Sequence, residues 1–402
     1  MVYEQIGEGP ISWGKAMASR SGLDSPRVKP VLVYLVTGDW YFMSHRVPMA
    51  LAAQRAGYDV HVITRVDTDG AAIEALGFQI HPIEWKRGST SLFAFIASVR
   101  AIRRLYREIG PKLAHQIALQ PAIVGSLAAT GFSFVRLNAI AGLGFVFTSA
   151  ALRARLVRPV FRALLRYVLG ETHASVLVQN PDDRAAIKSL GISDERIFTI
   201  RGSGVETDKL TPIGEPPEPV TVGFVGRLLA DKGVRTLVSA HEILARQGRP
   251  VRLLIAGDSD PANPASIPLA EIEVWRQRPG IEVLGHVTDI AKFWASAHIA
   301  ALPSRREGLP KSLLEAAACG RPIVATNVPG CREIARENVN ALLVPPDNPQ
   351  ALADTIARLA DDKELRRKFG EAGRRLVENE FSADRVGSQT VALYDRLLGL
   401  TR

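Results

Sequence analysis

Two glycines and two cations lie close together near the middle of the chain, in a pattern that suits an anionic ligand. Gly226 and Arg227 follow an apolar run, and Lys232 comes shortly afterwards, directly before Gly233. Glycine lets the backbone approach a ligand closely, while arginine offers a bidentate fork and lysine a point charge. The pattern predicts a loop that binds a diphosphate, although an exposed basic loop without a ligand would show the same residues.

A second stretch of charged residues follows further along the chain and is predicted to begin a helix. Pro310 suits a first helical position because it has no N–H to leave unpaired, and the free N–H groups after it favour an anion. Glu307 precedes this helix start and Glu315 lies about one turn inside it, so one carboxylate can reach sugar hydroxyls and the other a ribose. The alternative is an ordinary helix with acidic residues near its positive end, each worth less than about 1 kcal/mol. The predicted ligand contacts are Glu307, Gly308, Leu309, Pro310, Lys311 and Glu315.

Apolar runs alternate with helical patterns along the chain, and these elements must position both stretches. Continuous apolar strands separated by helices indicate a parallel sheet that is covered on both faces. Ligands of such sheets bind beyond the carboxyl ends of the strands, so two facing domains would form a cleft there. The predicted strands are 31–36, 59–64, 79–83, 221–225, 252–256, 281–284, 299–302 and 322–325, and the predicted helices are 45–56, 92–109, 234–247 and the segment after Pro310.

The fold class predicted from this pattern is α/β, with two Rossmann-like domains facing across a cleft. Residues 211–219 (TPIGEPPEP) are typical of a semi-rigid linker between the two domains. The final helix has no strand after it, and we expect it to pack back on the first domain. The predicted divisions are a loose tail at 1–27, a first domain at 28–205, a linker at 206–219, a second domain at 220–380 and a crossover helix at 381–402.

The chain of 402 residues carries a net charge of +9, and most of this excess lies in its first half. Between Lys86 and Arg166 there are 13 basic residues and a single acid, Glu108. A basic excess of this density indicates an anionic partner. Because aromatic residues are scarce there and no nucleic-acid motif is present, an anionic membrane surface or a pyrophosphate-linked acceptor fits better than nucleic acid.

The sequence gives no sign of a membrane span, a signal peptide or a metal site. No run of about 18 uncharged apolar residues occurs, and residues 1–27 lack the apolar core of a signal peptide. Two cysteines, Cys319 and Cys331, provide neither a disulfide framework nor a cluster of metal ligands. We therefore expect a reducing, cytoplasmic setting and no metal.

These motifs resemble those of the GT-B glycosyltransferases of family 4, over nearly the whole chain from residue 31 to 394. The resemblance is carried by residues 226–233 and 307–315, and by the stretches PIVAT at 322–326 and VPGCRE at 328–333. It implies a retaining transfer of a sugar from a nucleoside-diphosphate donor, without a cofactor or a metal. It also implies that the first domain receives the acceptor and the second domain the donor.

Roles for individual residues of the second domain follow from the same resemblance. Arg227 and Lys232 would neutralise the leaving diphosphate as its charge develops in the transition state. Glu307 would hold the donor sugar, and Glu315 would hold the ribose. Gly226 and residues 308–311 would complete the donor site.

The first domain follows the family pattern less regularly. Many members have a Gly-Gly pair after the first strand, whereas this chain has Gly38 followed by Asp39. Together with the Ser-His-Arg stretch that contains His45, this loop resembles a subset of the family that acts on lipid-diphosphate-linked saccharides. The resemblance implies that Gly38, Asp39 and His45 line the cleft, although His45 could instead serve only the packing of a helix start.

A histidine, a glutamine and a glycine carry the remaining predictions for the first domain. Similar enzymes carry His-x-x-Thr-x-Lys-Pro where this chain has His115, Ala118 and Gln120, so that a cation is missing at Gln120. The resemblance implies that His115 contacts the reacting sugar, whereas a histidine near a strand end is often structural. Gln120 and Gly142 are predicted to line the cleft.

Arginines alternate with apolar residues after Gly142, which is typical of a basic amphipathic helix. Such a helix suits an anionic membrane interface, although an ordinary surface helix would pack its apolar face on the sheet. The arginines are Arg153, Arg155, Arg158, Arg162 and Arg166.

Together these patterns favour a glycosyltransferase of polysaccharide or O-antigen assembly, peripheral on the inner face of the cytoplasmic membrane. The resemblance suggests a UDP-N-acetylhexosamine as the first donor to test and a GDP-deoxyhexose as the next, with a lipid-diphosphate-linked saccharide as the acceptor. The alternatives are a nucleotide-sugar epimerase with the same fold, a transferase with a small soluble acceptor, or a binding protein that has lost turnover.

Overall fold

The computed structural model describes residues 29–85, 91–140, 152–260 and 263–401, with only the backbone of residues 152–158. Within these residues the chain forms two sheets, one of seven strands and one of six, and all neighbouring strands in both are parallel. Helices connect successive strands, as parallel pairing requires.

The first sheet is built from short apolar strands that are largely buried, because helices cover both of its faces. Its strands are β1 Val31–Leu35, β2 Asp59–Thr64, β3 Gln79–Pro82, β4 Leu113–Ile117, β5 Val135–Ala139, β6 Ala174–Val178 and β7 Ile197–Thr199. Its helices are α1 Asp39–His45, α2 Val47–Arg55, α3 Gly70–Ala75, α4 Leu92–Ile109, α5 Leu119–Ala128, α6 Leu152–Gly170 and α7 Pro181–Lys188.

The second sheet follows the proline-containing connection and repeats the same plan. Its strands are β8 Thr221–Val225, β9 Arg252–Ala256, β10 Ile281–Gly285, β11 Ile299–Leu302, β12 Ile323–Thr326 and β13 Ala341–Val344. The helices after β8 are α8 Val234–Arg246, α9 Leu269–Arg276, α10 Ile290–Ala295, α11 Lys311–Ala318, α12 Pro329–Arg332, α13 Pro349–Asp361, α14 Lys363–Glu380 and α15 Ala383–Leu398.

Both sheets have the strand order of a doubly wound fold. The first runs β3-β2-β1-β4-β5-β6-β7 and the second β10-β9-β8-β11-β12-β13. In each, the order reverses between the first strand and the fourth, which is where ligands of open α/β sheets bind. The predicted fold class, α/β with two Rossmann-like domains, is therefore confirmed, and the two reversal points lie at β1/β4 and β8/β11.

The last helix, α15, leaves the second domain and packs on the first. Tyr58, just before β2, donates a hydrogen bond to Asp395 across 2.7 Å. A Cβ added at Gly387 would lie 2.8 Å from the Cβ of Ala52 on α2, so the two helices approach each other closely. The predicted return of the C-terminal helix is confirmed.

One predicted helix has the wrong start. The sequence placed a helix at 45–56, whereas α1 already begins at Asp39 and the chain breaks at Arg46 before α2. Arg46 has φ −124° and ψ −16°, outside the helical region. The break precedes Pro48, which cannot donate to a continuing helical ladder.

Several predictions concern residues that the structure does not describe or describes only in part. The tail at 1–27 and Gly142 lie outside the described residues, and the side chains of Arg153, Arg155 and Arg158 do as well. Among the described helices, none combines the length and the apolar character that crossing a bilayer demands.

Candidate functional site

The loop after β8 places a cation at the reversal point of the second sheet. Gly226 donates its N–H to Ala256, and a Cβ added at the neighbouring Gly257 would lie 2.0 Å from the Gly226 carbonyl oxygen. These glycines allow two backbone segments to meet, and Arg227 then projects from the loop with about half of its side chain exposed. Its guanidinium pairs with Asp260 at 3.0 Å.

Lys232 meets the loop after β11 through a second close approach. Gly233 has φ +71°, and a Cβ there would lie 1.9 Å from the carbonyl oxygen of Pro303, so only glycine fits. This contact brings the Lys232 ammonium to 2.7 and 2.8 Å from the two carboxylate oxygens of Glu307. The Ser304 hydroxyl donates to the same carboxylate at 2.7 Å.

The Glu307–Pro310 segment is held from two sides. A Cβ added at Gly330 would lie 2.5 Å from the carbonyl oxygens of both Glu307 and Gly308, so α12 supports the segment from beneath. From the first domain, the Asn180 amide donates to the Gly308 carbonyl at 3.0 Å. The segment therefore lies where the two domains meet.

A second charged pair lies at the start of α11. Lys311 and Glu315 approach to 3.1 Å, one helical turn apart. Burial raises the pKa of Glu315, and the ammonium of Lys311 opposes this shift only in part. Both residues line a cavity of about 370 Å³ between the domains, together with Ser44 from α1 and Thr288 from the loop after β10.

These residues form one face of the cleft, which we call the C-terminal wall. Its cations each have a carboxylate partner within the described residues, and its first helical turn at α11 has no side-chain cap. Cations beside an uncapped helix start favour a phosphate-bearing ligand. The members of the wall are Gly226, Arg227, Lys232, Glu307, Gly308, Leu309, Pro310, Lys311 and Glu315.

The opposite face, which we call the N-terminal wall, is formed by Thr37, Tyr41, His45, Arg46 and Ala118. With Arg227 of the C-terminal wall, all of these except His45 line a cavity of about 220 Å³ between the domains. The wall lies at the reversal point of the first sheet, beyond the carboxyl ends of β1 and β4. The two reversal points thus face each other.

Asp39 does not serve the cleft as predicted. Its buried carboxylate accepts backbone N–H groups from Asp67, Thr68 and Asp69 at 2.7 to 2.9 Å, and another from Trp40. Burial acts to raise the pKa of Asp39, but these hydrogen bonds outweigh it and the pKa is lowered. Asp39 therefore fixes the loop after β2. Gly38, also buried, begins α1 and leaves room for the Trp40 indole.

His45 lies on the face of the first domain that meets the C-terminal wall. Its ring stacks on Tyr41 at 4.5 Å, and Ser44 lies 2.6 Å from Nδ1. Burial is the main cause that lowers the pKa of His45 to about 3, so the ring is neutral near neutral pH. Positive charges that add to the shift are Arg46, Lys311, Lys232 and Arg227.

The structure does not bring His115 and Gln120 to the cleft. His115 is the central residue of β4 and is fully buried, with Nδ1 2.6 Å from the Tyr394 hydroxyl of α15. Burial first, and then the charge of Arg46, lower the pKa of His115 well below its usual value. Its position therefore does not support the predicted contact with a reacting sugar. Gln120 is exposed on α5 and lines a separate groove beside α4.

Three residues of the site were not singled out from the sequence. Ser304 orients Glu307, Asn180 joins the two domains, and Arg46 is a buried cation of the N-terminal wall. Arg46 belongs to the Ser-His-Arg stretch and could have been noticed there. Asn180 carried no signal because its partner Gly308 lies in the other domain. Ser304 stands only three residues before Glu307, and that spacing could have pointed to it.

Two facing doubly wound domains, with paired cations and carboxylates at one reversal point and a cavity between the walls, define a GT-B glycosyltransferase. Among the described residues, no group of histidine, cysteine and acidic side chains is arranged to hold a metal ion.

Comparisons with known proteins agree with this class. A "Glycosyl transferase 4-like" family model matches residues 31–179, and a "Glycosyl transferases group 1" model matches residues 219–362. The chain belongs to the GT-B glycosyltransferases of family 4, and it is a transferase.

Relatives and solved structures extend over most of the chain. The capsular polysaccharide biosynthesis glycosyltransferase CapM of Staphylococcus aureus is 24% identical, with 86% of this chain and 92% of the relative covered. The N,N'-diacetylbacillosaminyl-diphospho-undecaprenol alpha-1,3-N-acetylgalactosaminyltransferase of Campylobacter jejuni is 24% identical, with 89% and 98% covered. In fold, the chain is similar to sucrose-phosphate synthase from Thermosynechococcus elongatus, with a TM-score of 0.78, 23% identity, and 92% and 100% covered.

Proposed function

We propose that the chain transfers a sugar, with retention, from a nucleoside diphosphate to a lipid-diphosphate-linked saccharide during surface polysaccharide assembly. The observation that carries this proposal is the cluster of Lys232, Glu307 and Ser304 beside Arg227, at the reversal point of the second sheet. Arg227, beside this cluster, lines the cavity that the N-terminal wall also lines, so donor and acceptor would meet between the two domains.

The donor would lie along the C-terminal wall. Arg227 and Lys232 would neutralise the diphosphate as it departs, and such preorganised charge is worth more in a site that excludes water. Glu307, held by Lys232 and Ser304, would accept hydrogen bonds from hydroxyls of the donor sugar. Glu315 would accept hydrogen bonds from the ribose hydroxyls in the 370 Å³ cavity.

The transfer itself would proceed on one face of the donor sugar. The acceptor hydroxyl oxygen forms a bond to the anomeric carbon while the bond from that carbon to the phosphate oxygen breaks. The acceptor proton passes to the departing phosphate. We propose that no metal is needed, because Arg227 and Lys232 would supply the positive charge.

The nature of both substrates is proposed from the named relatives. The Campylobacter protein is, by its name, an N-acetylgalactosaminyltransferase whose acceptor is a diphospho-undecaprenol, and CapM is named for capsular polysaccharide biosynthesis. We therefore propose a UDP-N-acetylhexosamine donor and an acceptor anchored through a lipid diphosphate.

An acceptor of this kind requires access to a membrane, and the first domain has a surface that suits one. At the start of α4, Leu92 and Phe93 are 68% and 87% exposed. Arg100 and Arg107 follow on the same helix and are exposed too. Apolar side chains next to cations are typical of proteins that lie at an anionic interface. We propose a peripheral location on the inner face of the cytoplasmic membrane.

The test is a panel of nucleotide sugars incubated with lipid-diphosphate saccharides and read by mass spectrometry of the lipid. A mass gain of one sugar supports the proposal, and the anomeric configuration of the product tests retention. Nucleotide release or sugar epimerisation without a mass gain would instead favour hydrolysis, a soluble acceptor or an epimerase. Adding a chelator should leave the rate unchanged.

A further inference from the structure

Arg46 is a buried cation without a carboxylate. It is 3% exposed and lies at the junction of α1 and α2. Its terminal nitrogens contact the Met49 sulfur at 3.6 Å and the Tyr41 hydroxyl at 3.5 Å, and its Nε has no partner. The guanidinium carbon also lies 5.8 Å from the centre of the Tyr41 ring. Within the described residues no acidic side chain pairs with it.

Other buried arginines among the described residues have strong oxygen partners. Arg321, 2% exposed, donates to the backbone carbonyls of Ile213 and Gly214, and two more arginines pair with carboxylates. Arg136 on β5 is 2% exposed and pairs with Glu171 at 2.5 Å, and Arg366 on α14 pairs with Glu215 at 2.6 Å. A buried charge without a counter-charge is costly to folding. Arg46 therefore differs from its counterparts in a way that favours an anion supplied from outside the chain.

The surroundings of Arg46 indicate where that anion would bind. Arg46 lines the 220 Å³ cavity, and Arg227 of the C-terminal wall lines the same cavity. Ala118 on this cavity directly precedes helix α5, which is ten residues long and has no side-chain cap. Its positive end adds to the attraction for an anion.

A second buried nitrogen without a partner belongs to His115. The Nε2 atom of His115 has no partner, while Nδ1 is bonded to Tyr394, whose hydroxyl also contacts Tyr34 at 2.9 Å. If Tyr394 donates to Nδ1, the proton of the neutral ring lies on Nε2. The charge of Arg46 lowers the pKa of His115 in addition to burial, which is consistent with their proximity.

We propose that Arg46 is an anion-binding residue that holds a substrate phosphate from the N-terminal wall, opposite Arg227. This inference rests on the proposed function, because the phosphate belongs either to the nucleotide donor or to the lipid-diphosphate acceptor. The cavity thus receives positive charge from both domains, and a phosphate bound there would draw them together.

The test compares phosphate affinity in matched variants. Inorganic pyrophosphate, uridine diphosphate and farnesyl diphosphate are titrated calorimetrically into the whole protein and into Arg46→Met, Arg46→Lys and Arg136→Met. Arg46→Met should weaken pyrophosphate binding about tenfold or more, since a charge-assisted hydrogen bond is lost. Arg46→Lys should recover part of this affinity, and Arg136→Met should bind as the wild type does. The other two probes then assign the phosphate. Weaker binding of uridine diphosphate but not of farnesyl diphosphate assigns the donor phosphate, and the reverse assigns the acceptor phosphate.

Thermal unfolding without ligands separates binding from structure. Arg46→Met should unfold at or above the wild-type temperature because it removes an unpaired buried charge, whereas Arg136→Met should unfold below it. The inference is overturned if Arg46→Met binds all three probes with wild-type affinity, or if it is destabilised as much as Arg136→Met. Were the wild type to transfer sugar while Arg46→Met kept full affinity, only this inference would fail. Were the wild type to bind none of the probes, the proposed function would fail with it.

Discussion

The two walls of the cleft use polar side chains in opposite ways. On the C-terminal wall, Arg227, Lys232 and Lys311 are partly exposed and each meets a carboxylate, a partner that a ligand can share or displace. On the N-terminal side, Asp39 and His115 are directed into the domain and hold its own structure. Accessible charge is thus concentrated on the C-terminal wall, and the N-terminal wall contributes mainly shape, apart from Arg46.

Lys232→Ala should have the largest effect if this contrast is correct. The substitution removes a cation that would neutralise the leaving diphosphate and leaves the Glu307 carboxylate without its ammonium partner. Loss of one preorganised group of this kind lowers turnover by about a hundredfold or more. The measurement is the initial rate of sugar transfer to a lipid-diphosphate saccharide.

Arg235→Ala provides the matched control for Lys232. Arg235 lies on α8 of the same domain, is about half exposed and pairs with Glu271 at 2.7 Å. It should retain the wild-type rate. Equal rates in both variants would contradict the assignment of charge stabilisation to the C-terminal wall.

The same contrast explains which parts of the site could be predicted from sequence. The C-terminal wall consists of two loops that directly follow strands β8 and β11, so residue type and spacing were enough to bring Arg227, Lys232 and Glu307 together. The partners of Asp39 lie 28 to 30 residues away, and the hydroxyl that binds His115 lies 279 residues away. No local pattern carries information about such contacts.

Fold prediction succeeded for strands that are buried on both faces of a sheet. Strands such as β8 and β11 were predicted at their observed bounds, because parallel strands buried on both faces are largely apolar runs. The start of α1 was missed since its first turn contains Asp39 and Trp40, which resemble a loop in sequence. The cost of burying the Asp39 carboxylate is offset by hydrogen bonds from backbone N–H groups of the loop after β2, which lies far from Asp39 in sequence.

Tyr394→Phe tests the inward-directed network of the N-terminal side. The hydroxyl contacts both His115 and Tyr34, so its removal leaves two buried polar groups unsatisfied. We expect a loss of about 1–3 kcal/mol in the free energy of unfolding, measured by urea denaturation. Tyr167→Phe, at an exposed tyrosine of α6, should change stability little. A stable Tyr394→Phe variant that fails to bind acceptor would mean that this network serves the ligand and not the fold.

Glu315→Gln tests the C-terminal wall at the proposed position of the nucleotide. Removing the charge should weaken uridine diphosphate about tenfold, because a hydrogen bond to a charged acceptor is replaced by a neutral one. Glu282→Gln, at an exposed ion pair on β10, should bind normally. Unchanged affinity for Glu315→Gln would remove the ribose role from this residue.

The same variant should alter the dependence of stability on pH. Because burial raises the pKa of Glu315 in the folded protein above its unfolded value, the stability it contributes is full in acid and falls as the pH rises through the folded pKa. Glutamine does not titrate. The stability of Glu315→Gln relative to wild type should therefore increase from pH 4 towards neutrality, as followed by urea midpoints. If the stability of Glu315→Gln relative to wild type instead falls over this range, the folded protein stabilises the charged form of Glu315 despite its burial.

Phe93→Ser should have the smallest effect, on the surface that would bring the acceptor side to a membrane. Full burial of a phenylalanine side chain is worth about 1.5–3 kcal/mol, and an interface that covers part of the ring gives less. We expect a loss of a few-fold in partition to vesicles that contain anionic lipid, measured by co-sedimentation. Transfer to a short-chain, water-soluble acceptor should be unchanged, since Phe93 lies on α4 and does not line either cavity between the walls.

Val339→Ser is the control for Phe93, because Val339 is also exposed but belongs to the second domain. If only the first domain meets the membrane, vesicle binding by this variant equals that of the wild type. A similar loss in both variants would mean that the two domains do not differ in membrane contact. The asymmetry between the walls would then be confined to the cleft, and the acceptor would have to reach it without help from the α4 surface.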